Sequence, residues 1–120
     1  MPAVLVVDDD PGIRECVAEF LSLEGFRVVE ARHGREGLHL LEGVRPAVIV
    51  LDLMMPVMSG WEFMAEQKRR PEAANIPVIV MTAHNNPGVE AHLVLSKPFD
   101  MDVLIRAVRE FAGVAHDARV

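Results

Sequence analysis

The sequence holds a single cysteine, Cys16. No disulfide framework can form within the chain, and a reducing cytoplasm is the expected compartment. Long apolar runs are also missing. None approaches the roughly 18 residues that a membrane span needs, so no membrane insertion is expected. Met1-Pro2-Ala3 passes straight into a strand pattern, with no charged region ahead of an apolar one, and no signal peptide is read there. Excess positive charge is lacking too: the net charge is −6 at pH 7. A direct nucleic-acid surface is therefore not expected, although a local basic patch is compatible with that balance. Repeats, linkers and low-complexity segments are absent. What remains is an ordinary globular composition, 51% hydrophobic and 25% charged. At this length one domain over residues 1–120 is expected, burying roughly two-thirds of its unfolded surface.

Strand and helix patterns alternate. Val4-Leu5-Val6-Val7 is a short β-branched run, and similar runs fall at residues 26–29, 47–51, 77–81 and 93–95. Several are continuously apolar, as strands are when both sheet faces are covered. Between them, Asp10 reads as an N-cap with Pro11 in the first helical position. Ile13, Val17, Phe20 and Leu21 then place apolar side chains on one helix face, and Gly25 stops the helix. A second helix is expected over about residues 34–42, ended by Gly43. Ser59 and Glu62 have capping-box spacing before a third helix that runs to about Lys68. Asp100 caps a last helix carrying Leu104, Ala107, Val108 and Phe111 on one side, and residues 113–120 are expected to fray. Between the fourth and fifth strands, Pro87 and Gly88 allow only a loop or a short helical turn. The pattern predicts an open, doubly wound α/β sheet with right-handed crossovers. Sites in such sheets form beyond the carboxyl ends of the strands.

Those ends carry the chemistry. Asp8, Asp9 and Asp10 follow the first strand, Asp52 ends the third, Thr82 the fourth, and Ser96-Lys97-Pro98 the fifth. Taken singly, each has a plain structural reading. Asp10 is a helix cap, Asp8 or Asp9 a solvated loop charge, Thr82 a strand-end threonine and Lys97 a surface lysine. Taken together they gather several carboxylates at one sheet edge, where they repel unless a cation neutralises them. Oxygen-only ligands suit Mg²⁺ or Mn²⁺ rather than zinc.

The pieces Val6-Val7-Asp8-Asp9, Asp52-Leu53-Met54-Met55-Pro56-Val57-Met58-Ser59-Gly60, Met81-Thr82-Ala83 and Ser96-Lys97-Pro98-Phe99 fall in order along nearly the whole chain. In them the chain resembles the receiver domains of two-component response regulators. The resemblance implies a flavodoxin-like five-stranded parallel sheet of order 2-1-3-4-5, with helices on both faces and the fourth helix short or absent. It implies a signalling domain rather than a turnover enzyme, with Asp52 accepting a phosphoryl group from a sensor histidine kinase, a phosphotransfer protein or a small donor such as acetyl phosphate. Asp9, Asp52 and the Met54 carbonyl would ligate Mg²⁺ (or Mn²⁺), and Asp8 would act through a water. Lys97 and Thr82 would contact phosphoryl oxygens, the small Ala83 would leave the group room, and the Lys97–Pro98 bond would be cis. Met54 and His84 stand at positions that modulate the acyl-phosphate lifetime, although His84 also reads as a plain loop histidine. A downstream protein target is implied but not named.

Two departures from that pattern stand out. Val94 occupies the position, three before the lysine, where relatives usually carry a switching aromatic. Thr82 and Lys97 are only 97 − 82 = 15 positions apart, and the shortening falls on the helix through which many relatives dimerise. Neither the aromatic switch nor that dimer interface is carried over. Other classes fit less well. A dehalogenase-type aspartyl-phosphate phosphatase needs an acid where Met54 stands. A flavodoxin-type flavin site needs a neutral phosphate loop where Asp8-Asp9-Asp10 would repel the ligand. A pseudo-receiver that only binds partners is opposed by the intact set of Asp8, Asp9, Asp52, Thr82 and Lys97.

Overall fold

The computed structural model describes residues 2–83 and 88–113. The five apolar runs become the parallel strands β1 (Ala3–Val7), β2 (Arg27–Ala31), β3 (Val48–Asp52), β4 (Val78–Thr82) and β5 (Leu93–Ser96). They lie in the order β2-β1-β3-β4-β5. The chain leaves β1 toward β2 and returns past it to β3, so the order reverses between β1 and β3. That places the crevice of the fold above the ends of these two strands.

Every residue of β1, β3 and β4 is buried. Alternate residues serve opposite faces, as the pleat requires. Leu5, Val7, Ile49, Leu51, Val78 and Val80 pack with Leu38, Leu41, Phe63 and Met64 on one face. Val4, Val6, Val48, Val50, Ile79 and Met81 pack with Val17, Leu21, Leu104 and Val108 on the other. The first face is covered by α2 (Gly34–Leu40) and α3 (Gly60–Lys68), the second by α1 (Pro11–Leu23) and α4 (Met101–Phe111). Edge strands β2 and β5 are only partly buried, as a one-neighbour position dictates.

The helix ends follow the capping chemistry. Asp10 Oδ1 accepts the amides of Gly12 (2.9 Å) and Ile13 (3.3 Å). Ser59 and Glu62 form both halves of a capping box, and Asp100 Oδ1 accepts the Asp102 amide at 2.9 Å. Gly25, at φ 97°, adopts the left-handed conformation that ends α1 at little steric cost.

Several details differ from the sequence expectation. Helix α2 ends at Leu40, and residues 41–43 form a turn rather than helix. Phe26 precedes β2; it is buried in the core but lies outside the ladder. Phe20 is 44% exposed because the buried arc of α1 is centred on Val17, Ala18 and Leu21. Between β4 and β5 there is no helix among the described residues, 83 and 88–92. His84 and residues 114–120 lie outside the described residues. No helix among those described is long and apolar enough to cross a membrane.

Candidate functional site

Asp8 continues β1 by one residue, since its amide donates to Ala31 O of β2 at 3.1 Å. Its side chain is fully buried. Oδ1 accepts the Asp10 amide at 2.9 Å, and Oδ2 faces Lys97 Nζ at 3.3 Å. Asp52, the last residue of β3, is 4% exposed. Its Oδ1 accepts the Met54 amide at 3.4 Å and stands 3.4 Å from Lys97 Nζ. Lys97 thus reaches both carboxylates from the end of β5, and its own amide donates to Thr82 O at 2.8 Å. Thr82 is fully buried at the end of β4, while Asp9 is exposed at the mouth. The Lys97–Pro98 bond is cis. The sheet therefore brings together Asp8, Asp9, Asp52 and Lys97, with Thr82 tied to Lys97 through the main chain. Asp10 turns away as a cap.

The loop after β3 is shaped by close packing. Gly60 donates its amide to Leu53 O at 2.9 Å. A Cβ there would stand 2.6 Å from Asp52 O and 2.7 Å from Leu53 Cα, so only glycine lets α3 begin this close to the end of β3. Within the loop, Met58 N donates to Pro56 O at 2.7 Å across Val57, which has φ 71°. That is a γ-turn centred on a β-branched residue, a strained arrangement. Val57 and Met54 remain largely exposed.

Burial raises the Asp52 pKa from 3.8 to about 6; the Asp8 charge adds to the rise, and Lys97 partly offsets it. Three carboxylates against one ammonium leave two negative charges when all are ionised. A divalent cation would neutralise them. Ligand oxygens of one octahedral Mg²⁺ stand no more than about 4.2 Å apart. Carboxylate oxygens of Asp8, Asp9 and Asp52 all lie within 4.8 Å of one another. Small side-chain rotations would close that set, and its oxygen-only chemistry fits Mg²⁺.

Arg14 lies outside the strand-end motifs but touches the same pocket. Its guanidinium donates to Asp8 O at 3.0 Å through Nη1 and to Glu30 Oε1 at 3.1 Å through Nε. A signal was present. Arg14 lies three, four and seven positions before Val17, Ala18 and Leu21, so a charge sits on the buried face of α1.

The profile of the response regulator receiver domain matches residues 4–109. The chain is 33% identical to the DNA-binding dual master transcriptional regulator RpaA of Synechocystis sp., over 91% of this chain and 48% of RpaA. It spans about half the length of the first curated relatives it matches. Among solved structures, the signal receiver domain of a signal transduction histidine kinase from Syntrophus aciditrophicus superposes with a TM-score of 0.88 at 28% identity, covering 100% of this chain and 97% of that one. The response regulator protein TrrA of Thermotoga maritima, in complex with Mg²⁺-BeF, gives 0.82 at 30% identity, covering 92% and 99%.

Proposed function

The chain belongs to the response regulator receiver domain family of two-component phosphorelay signalling, and from that premise we propose that Asp52 is the carboxylate that accepts the phosphoryl group. One observation carries the reading: Asp52 is a nearly buried carboxylate set among Asp8, Asp9 and the Lys97 ammonium at the end of a central strand. Its oxygen would attack the phosphorus of a phosphohistidine on a sensor kinase or phosphotransfer protein. A P–O bond forms as the P–N bond breaks, and the departing imidazole keeps the electron pair. The product is an acyl phosphate. The attacking form is the carboxylate, and a pKa of about 6 leaves Asp52 ionised at neutral pH.

Bound Mg²⁺, or Mn²⁺ in its place, would offset the charge that gathers on the phosphoryl oxygens. Asp9, Asp52 and the Met54 carbonyl would hold the ion directly, with Asp8 acting through a water. The oxygen donor set and the Mg²⁺-BeF complex of TrrA support this assignment. Lys97 would exchange carboxylate contacts for a phosphoryl oxygen, and the Thr82 hydroxyl would donate to another. Phosphorylation would then alter binding to a downstream protein target. Val94, 37% exposed on edge strand β5, lacks the ring needed for an aromatic switch. The output would run through other parts of the surface.

The test is incubation with acetyl phosphate and Mg²⁺, read by intact mass. Wild type should gain one phosphoryl group, and Asp52→Asn or omission of Mg²⁺ should abolish the gain. A wild type that gains none would leave a partner-binding pseudo-receiver as the better reading.

A further inference from the structure

We propose that Arg14 is a positioning residue for the acidic pocket: with Glu30 it clamps the main-chain carbonyl of Asp8 and so fixes the aim of the Asp8 and Asp9 carboxylates. The inference rests on the reading of the pocket as a Mg²⁺ site.

The main chain leaves the sheet at Asp8. The Asp8 amide still has a ladder partner in Ala31 O, but its carbonyl lies past the last residue of β1. A carbonyl in such a place must find a donor or remain unsatisfied. Arg14 supplies it from α1 at 3.0 Å. The same guanidinium is held at 3.1 Å by Glu30, which pairs in register with Val6 on the neighbouring strand. The Arg14 side chain is only 11% exposed, so it is held by these contacts rather than free in solvent. Glu15, 3.9 Å from Nη2 and 69% exposed, adds little.

The consequence for the pocket is geometric. Fixing the Asp8 carbonyl fixes the peptide that joins Asp8 to Asp9, and with it the directions of both side chains. One of these carboxylates is buried against Lys97 and the other lies at the mouth. Arginine suits the role because its planar fork serves two acceptors at once; a lysine ammonium is a single point on a flexible stem. Groups that orient metal ligands from behind commonly change metal affinity by about 10- to 100-fold when removed.

The experiment compares wild type with Arg14→Met, Arg14→Lys and Glu30→Gln. The Mg²⁺ dissociation constant is measured by calorimetry. The Asp10 amide resonance, which reports on Asp8 Oδ1, is recorded in metal-free protein. The thermal midpoint is recorded alongside. Arg14→Met should raise the Mg²⁺ constant by about tenfold or more and shift the Asp10 amide. Its acetyl-phosphate labelling should fall at low Mg²⁺ and recover near saturation. Arg14→Lys should fall between the two, and Glu30→Gln should weaken binding least. A purely structural Arg14 would lower the thermal midpoint and leave the Mg²⁺ constant within about twofold of wild type, and that result overturns the proposal. If Arg14→Met fails to fold, Arg14→Lys decides: a rise of about threefold or more supports the proposal, and a smaller one overturns it. A wild type that binds Mg²⁺ without accepting a phosphoryl group defeats only the role of Asp52. One that binds no Mg²⁺ defeats both.

Discussion

Lys97 Nζ lies 3.4 Å from Asp52 Oδ1, so the carboxylate proposed to react has a cationic partner without any metal. The same ammonium is 3.3 Å from Asp8 Oδ2. A divalent ion entering the pocket must compete with it. Lys97→Ala should therefore tighten Mg²⁺ binding by about fivefold, roughly 1 kcal/mol, while lowering the rate of Asp52 phosphorylation. Calorimetry and acetyl-phosphate labelling check the two halves separately. Weaker Mg²⁺ binding in this variant would show that Lys97 orders the ligands more than it competes with the ion.

The raised pKa of Asp52 makes a statement about stability and pH. Its folded value, about 6, lies above the value of 3.8 for an unburied group, so the folded state holds the extra proton between these values. Metal-free protein should therefore lose stability as pH rises from about 4 to 6 and lose no more from this group above that. Asp52→Asn removes the charge. It should match wild type near pH 4 and exceed it at pH 7 by roughly 2 kcal/mol, as read from urea unfolding without metal. A constant difference across that range would assign the shift to another group.

At Val57 the backbone φ of 71° lies where β-branched side chains are disfavoured, and 68% of the residue is exposed. Little packing offsets the strain. Val57→Asn, which tolerates this conformation, should stabilise the fold by about 1 kcal/mol. Thermal unfolding measures this; a loss of stability would mean that the valine packs better than its exposure indicates.

Gly60 is the opposite case. Its missing Cβ leaves room for Asp52 O and Leu53 Cα, both backbone-linked and unable to swing aside. Gly60→Ala should cost about 2 kcal/mol and slow phosphorylation, because the end of β3 must shift to admit the methyl group. Unchanged stability would contradict the close approach.

The central strands were readable because burial on both faces leaves continuous apolar runs, as in Val48-Ile49-Val50-Leu51. The pocket was readable because a parallel sheet collects its strand ends at one edge, which brought Asp8, Asp52, Thr82 and Lys97 together without any knowledge of distances. Finer features depended on three-dimensional neighbours. Phe20 has the right spacing from Ile13 but falls on the rim of the buried arc. Which of the neighbouring acids is buried was also hidden: Asp8 lies under Lys97 while Asp9 stays exposed, and adjacent positions in a chain cannot reveal that. The positive φ at Val57 was hidden as well, because a β-branched residue's own preference lies elsewhere.

The role proposed for Asp52 sets it apart from Asp8 and Asp9, the other two clustered aspartates. The direct measurement is to label wild-type protein with acetyl phosphate and Mg²⁺, reduce the acyl phosphate chemically, and locate the reduced residue by peptide mass spectrometry. The expected result is modification at Asp52 alone, with Asp8 and Asp9 unmodified. Modification at Asp8 or Asp9, or labelling that persists in Asp52→Asn, would contradict it.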